Sequence, residues 1–446
     1  MAELKEYNQR IEELVAEAGL ECYPQEFEIC SYEDMLAYEA YMGMPTRYRH
    51  WSFGKAYERK RTFYRYNLTG LPYEMVINSD PCLAYLMKEN TLLLQILTMA
   101  HVYGHNDFFK NNRLFCWGTR AAGALEMFKA HARQIQEYIQ DPSIGYERVE
   151  RVLDAAHALR LQVSRRIGER HPGHEEIRAR VLDRYRPPQD DHPLLLNQTR
   201  SEPPDLNRIP LQPEEDLLWF LSQYAPLQEW EKGLLNIVRR ESLYFLPQME
   251  TKVMNEGWAS FWHYRLLNQL KLPQKLHLEF LKRHNQVVCP HEGGLNPYHL
   301  GFKIFEKLEQ ERGIDYLLAV REQERDSSFL RRFVDENLCR DLDLFTYIRR
   351  GRDYYVHEVA DEEGWKKIRD VLSLSVGLQG VPNILAVEVA PRNRLLMLDH
   401  EWDGRELQLE YAHQTLKHVA RLWGTTVRLR TVVRGSYQIL ETDPDL

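Results

Sequence analysis

Two segments constrain this chain more than any others. One is His101-Val-Tyr-Gly-His105, which follows an almost wholly apolar run from Leu92 to Ala100; the other is Asn255-Glu256-Gly-Trp-Ala-Ser-Phe-Trp-His263. The apolar run predicts a buried helix, and imidazoles four positions apart on a helix project from one side, a turn apart. Glu256, Ser260 and His263 share a face in the same way. Buried imidazoles, and a carboxylate set among Trp and Phe, need polar or ionic compensation. A divalent cation held by His101, His105 and Glu256 would supply it, with His263 as a fourth ligand or a supporting group. Two His and a distant Glu are also the ligand set that leaves one position open for water. The alternative is a closed His–Glu hydrogen-bond network without an ion.

Other features narrow the chemistry. The six cysteines are scattered and form no CxxC pair, so neither a thiolate cage nor a disulfide framework is expected. Nitrogen and oxygen ligands point to zinc first, with manganese, iron or nickel as alternatives. A net charge of -8 argues against coating nucleic acid. No apolar run approaches the roughly 18 residues of a membrane span, and no signal peptide is visible, so a cytoplasmic protein without membrane insertion is expected. No G-x-x-x-x-G-K-[ST], G-x-G-x-x-G or G-x-S-x-G motif supports nucleotide, dinucleotide or serine-hydrolase chemistry.

In the H-E-x-x-H peptidase motif a Glu follows the first His and serves as general base; here Val102 stands in that place and cannot take a proton. Glu250, as first choice, Asp107 and His263 are the candidate proton acceptors, and Tyr103 or Tyr298 could donate to an oxyanion. The segment 47–66 holds seven Arg or Lys and seven aromatic residues in twenty positions. Arg47, Arg49 and Trp51 from it, with Tyr298 and His299 from a turn-rich stretch, are candidate substrate-binding residues.

The expected organisation is α+β. Helices are predicted at about 1–20, 32–42 (capped by Ser31), 81–109, 118–140 and 146–184. A proline-rich linker at about 186–210 precedes helices at 214–224, 227–270 (broken at Pro247), 273–285, 300–312 and 314–323. From about 345 the period changes to strands at 353–360, 383–390, 393–400 and 426–433, with helices at 363–376 and 406–423 and a short extra strand at 436–440. That order predicts a small ferredoxin-like βαββαβ domain over 346–446, after a mainly helical domain over 1–345.

The blocks YEDMLAYEAYMGMPTRYRHWSFGKAYE, INSDPCLAYLMKEN, MAHVYGHNDFFKNN, ETKVMNEGWASFWHY, LNPYHLG and ENLCRDLDLF resemble the SpoVR family, stage V sporulation protein R. The resemblance implies an intracellular bacterial protein linked to spore cortex formation or, in bacteria that do not sporulate, to stress responses. There it implies a PrkA-type serine kinase and a von Willebrand-like protein as partners. Locally, Asn255-Glu256-Gly-Trp-Ala looks like the E-G-W-A block of zinc carboxypeptidase-like proteins and the third-ligand motif of gluzincins, which implies zincin-like helices with Glu256 as a ligand. The expectation is a metal-dependent hydrolase of a peptide or cell-wall-related amide. Its rival is a non-enzymatic regulator or scaffold acting with the kinase, the His/Glu cluster being structural.

Overall fold

The computed structural model describes residues 2–65, 74–185, 205–290, 295–350 and 353–444. The chain divides into two compact units, one of residues 1–140 and 243–381, the other of residues 141–242 and 382–446.

The first unit opens with α1 (Ala2–Glu17), β1 (Gln25–Cys30), α2 (Tyr32–Ala40) and α3 (Trp51–Arg65). It continues through β2 (Glu74–Ile77), β3 (Cys82–Met87), α4 (Leu92–Asn111), α5 (Arg113–Gly118) and α6 (Ala124–Gln140). Ser31 caps α2 as expected: its Oγ accepts from the Asp34 amide, and Asp34 Oδ2 accepts from the Ser31 amide at 3.1 Å. The first half of the helix expected at 81–109 is instead a strand. Cys-Leu-Ala-Tyr-Leu-Met pairs with β1 in parallel and β2 antiparallel, and all six residues are buried. A continuous apolar run of six suits a strand covered on both faces. The polar Lys88–Thr91 stretch ends it, and Thr91 caps α4 by accepting from the Leu94 amide.

The unit resumes inside α10 (Glu229–Glu250), which runs through Pro247 and ends at Thr251, followed by α11 (Lys252–Gln269). Asp326 fixes the start of α11 by accepting from the Val253 and Met254 amides at 2.8 and 2.9 Å. Then come α12 (Gln274–Val287), α13 (Pro297–Arg312), α14 (Ile314–Gln323), α15 (Asp326–Phe333) and α16 (Glu336–Asp341). The core centres on α11, which packs against α4 and α13. Small residues set the spacing: a Cβ on Gly104 would lie 2.7 Å from the Ala259 backbone, and one on Gly257 would lie 2.4 Å from the Gly301 backbone.

The unit ends with β4 (Phe345–Arg350), β5 (Asp353–Val359) and α17 (Gly364–Ser375). Here the βαββαβ expectation fails, although the α+β class holds. The strand at 353–359 joins no four-stranded sheet; it pairs antiparallel with Phe345–Arg350 as a separate hairpin. A partner two residues away in sequence is reached more cheaply than a distant sheet. Residues 346–381 accordingly group with the first unit.

In the second unit the helix expected over 146–184 is two, α7 (Tyr146–Ala158) and α8 (His174–Tyr185), separated by a stretch containing Gly168 and Pro172-Gly173. The first nineteen residues of the expected linker, 186–204, lie outside the described residues. After α9 (Leu217–Tyr224), the unit ends with β6 (Ile384–Val389), β7 (Leu396–His400), α18 (Leu409–Trp423), β8 (Val427–Val433) and β9 (Ser436–Thr442). The sheet order is β6-β7-β8-β9, with β7 and β8 parallel across α18 and the outer pairs antiparallel. Among the described residues no helix is long and apolar enough to cross a membrane.

Gly257→Ala should lower stability by at least about 1–3 kcal/mol, the usual cost of overpacking. Urea unfolding checks this; an unchanged midpoint would mean that the α11–α13 contact is looser than described.

Candidate functional site

His101 and His105 leave α4 on the side facing α11, where Glu256 stands on the first turns of that helix. His101 Nε2 lies 3.8 Å from Glu256 Oε2, and His105 Nε2 lies 3.5 Å from the same oxygen. A second carboxylate arrives from β2: Glu74 Oε1 is 3.6 Å from His101 Nε2. These residues form the floor of a cleft of about 1090 Å³.

The far nitrogen of each imidazole is held in place. His105 Nδ1 lies 2.8 Å from Asn255 Oδ1. An amide oxygen only accepts, so Nδ1–H donates and the Nε2 lone pair faces the cleft. His101 Nδ1 lies 2.9 Å from His263 Nδ1, and His263 Nε2 lies 2.8 Å from His284 Nδ1. Each neutral imidazole carries one N–H, so protons along this chain must all point the same way. With His101 Nδ1–H donating to His263, and His263 to His284, His101 Nε2 also presents a lone pair to the cleft.

The donor atoms fit a cation. His101 Nε2 and Glu256 Oε2 are buried without a hydrogen-bond partner. Two ligands each about 2.1 Å from one ion at a tetrahedral angle stand about 3.4 Å apart, close to the separations across this cluster. Glu74, His101 and His105 each offer a ligand atom, all within 4.8 Å of one another. The field there favours positive charge. Burial works against charge on His101, but Glu74 and Glu256 outweigh it and raise its pKa. Burial also opposes ionisation of Glu256, yet the nearby imidazoles, His101 first and then His105, lower its pKa. For Glu74 burial wins and, with Glu256 nearby, raises the pKa despite His101. Burial, then His101, depresses His105 to about 4, so it stays neutral and able to ligate. Burial likewise holds His263 well below its ordinary value and His284 at about 4.

The other residues singled out from sequence fall in different places. Both ring nitrogens of His263 are engaged by other histidines, so it supports His101 instead of offering a fourth ligand atom. Glu250 is withdrawn from the cleft: its Oε1 accepts from the Leu378 amide at 2.7 Å and its Oε2 from Arg325 at 3.3 Å. Asp107 is fully buried and accepts from Arg321, Trp258 Nε1 and the Glu21 amide. The Tyr103 hydroxyl donates to Asn8. Tyr103 and Asp107 each lie two positions beyond a site histidine, about 200° around the helix, and so face away from it. Tyr298 does line the cleft, and the charge of Glu256, then burial, holds its phenol well above the usual value. His299 instead donates from Nδ1 to the Val288 carbonyl at 2.6 Å.

Of the basic aromatic segment, Arg59, Lys60, Phe63 and Tyr64 line the cleft, whereas Arg47, Arg49 and Trp51 do not. The Arg47 guanidinium lies over the rings of Tyr48, Phe53 and Phe128 at 5.0–5.4 Å, and Arg49 and Trp51 are exposed. His291 and Glu292, which precede Tyr298 in the turn-rich stretch, lie outside the described residues. Sequence reasoning does not find Glu74, Asn255 and His284 as contributors. The Asn-Glu pair at 255–256 is a signal for Asn255, whereas no spacing links Glu74 to the histidines.

The profile for SpoVR like protein matches residues 1–381, and that for the SpoVR-like C-terminal domain matches residues 382–434. The chain belongs to the SpoVR family. The two matches meet where the last segment of the first unit ends, at 381/382. The uncharacterized protein YcgB of Escherichia coli (strain K12), a relative, is 37% identical over 95% of this chain and 91% of its own length. No solved structure matches.

Metal analysis of the purified chain should find near-stoichiometric divalent metal, lost in His101→Ala/His105→Ala. Asn255→Ala and His263→Ala, which release the far nitrogens, should weaken metal affinity about 10–100-fold. Unchanged affinity in both would remove these residues from the site.

Proposed function

We propose that this SpoVR-family chain is a metal-dependent hydrolase of amide bonds, with the cleft floor as its active site. One observation carries the reading: His101 Nε2 and Glu256 Oε2, both buried and unpaired, face each other 3.8 Å apart beside a second carboxylate of opposite pKa tendency. His101, His105 and Glu256 would hold the ion, zinc first, with manganese, iron or nickel as alternatives. When bound, the ion supplies Lewis acidity toward a carbonyl and makes water more acidic.

The chain's own residues do the rest. Paired carboxylates whose surroundings push their pKa values apart take different roles. Glu256 stays ionised and serves as the ligand. Glu74, whose raised pKa suits proton transfer nearer neutrality, takes the proton from water and passes it to the leaving amine. It thereby fills the place left by Val102. Tyr298, whose phenol keeps its proton, donates to the oxygen that gains charge. A peptide or cell-wall-related amide is the proposed substrate, consistent with a role in spore cortex formation or stress response. The rival is a scaffold acting with a PrkA-type kinase and a von Willebrand-like protein, for which a closed, dry cluster would suffice. The open cleft over the histidines favours the enzyme.

Hydrolysis of fluorogenic peptides by the zinc-reconstituted chain tests this. Glu74→Gln should keep its metal and lose about 10²–10⁴-fold in kcat, whereas Glu256→Gln should lose the metal itself. A fully active Glu74→Gln would refute the assignment.

A further inference from the structure

Two cations in the cleft are in no ion pair with the described residues of the chain. The acidic residues described along the cleft are Glu39, Glu74 and Glu256. Glu39 is already engaged, paired with Lys60 and accepting from the Tyr64 hydroxyl at 2.6 Å. Glu74 and Glu256 face the imidazoles of the floor. Arg59 and Lys252 line the same cleft, and both are exposed. Among the described residues neither forms an ion pair, although Lys252 is near enough to Glu256 to help lower its pKa. The Arg59 guanidinium lies 5.2 Å from the ring of Phe63, another lining residue, which steadies it without neutralising it.

Helix stability does not explain Lys252. It is the first residue of α11, where a cation opposes the helix dipole. It precedes Glu256 by four, the less favourable order for a helical ion pair, and forms no ion pair with it. A lysine placed against local preference and facing a cleft is accounted for by what enters the cleft.

We propose that the cleft takes a peptide bearing carboxylate groups, with Arg59 and Lys252 receiving a carboxylate while the amide to be cut lies at the floor. This rests on the hydrolase reading above and names its substrate class. The volume of about 1090 Å³ lies just above the roughly 300–1,000 Å³ of small-molecule pockets, which leaves room for several residues of an extended chain. The guanidinium fork matches a carboxylate in geometry. Two cations set against two floor carboxylates suit a monoanion better than a doubly charged phosphate, which would meet more repulsion from the floor.

The test is fluorescence anisotropy on the full chain, both chelator-treated and zinc-reconstituted. The probes are fluorescein-labelled tetraglutamate, the isosteric tetraglutamine, and a tetrapeptide of phosphoserine. The glutamate peptide should bind at least about tenfold tighter than the glutamine peptide, and Arg59→Gln/Lys252→Gln should shrink the gap to about twofold or less. Both positions are exposed, so the double variant should keep its thermal midpoint. Equal binding of the glutamate and glutamine peptides, an undiminished preference in the double variant, or tightest binding of the phosphoserine peptide would each overturn the proposal. The chelated protein reports on charge alone. A retained preference with no metal bound on reconstitution would therefore uphold the anionic-peptide assignment and count against the hydrolase reading only.

Discussion

The site depends on how closely two helices approach. Gly104 on α4 sits against Ala259 on α11, with no room for a Cβ between them. Gly104 lies between His101 and His105, and Ala259 follows Glu256 by three, so the contact lies at the level of the His–Glu cluster. A larger residue at either position would separate the helices and pull His105 Nε2 away from Glu256 Oε2, now 3.5 Å apart. Gly257 and Gly301 do the same on the other side of α11, so the helix bearing Glu256 is held between two close approaches. Packing at that density gives a donor cluster little freedom to collapse onto itself. This is why two polar atoms remain buried and unpaired.

The electrostatics follow from that rigidity. Burial alone would leave every imidazole neutral and every carboxylate protonated. The floor departs from this at two side chains: His101 is pushed toward its charged form and Glu256 toward its ionised form. His101 stands beside both carboxylates, 3.6 Å from Glu74 and 3.8 Å from Glu256. Behind it, the relay through His263 to His284 fixes the ring, and Asn255 does so for His105. Orientation of the two rings is thus set by groups on the side away from the cleft.

Much of this is legible in the residues. The HxxxH spacing after an apolar run puts both histidines on one face of α4, and the same logic puts Glu256 on the face of α11 that meets them. The helical period also carries information against Tyr103 and Asp107, since positions two apart cannot share a face. Glu250 fails for a different reason: its partners, Arg325 and the Leu378 amide, lie 75 and 128 residues away, and no local pattern reports them. Glu74 is hidden because its position depends on a strand pairing. It opens β2, whose neighbour β3 has the length and composition of a helix start, so the sheet that carries the second carboxylate is not visible in the sequence. The C-terminal strands are found, but the partner of the strand at 353–359 is not, since the strand at 345–350 lacks a clear boundary signal.

The central claim is that one ion sits among His101, His105 and Glu256 with no sulfur ligand. X-ray absorption at the zinc edge of the reconstituted chain tests it most directly. The account predicts two imidazole nitrogens and one or two oxygens at about 2.0–2.2 Å. That signal should disappear in His101→Ala/His105→Ala. A spectrum with sulfur at about 2.3 Å, or one unchanged by the double substitution, would contradict it.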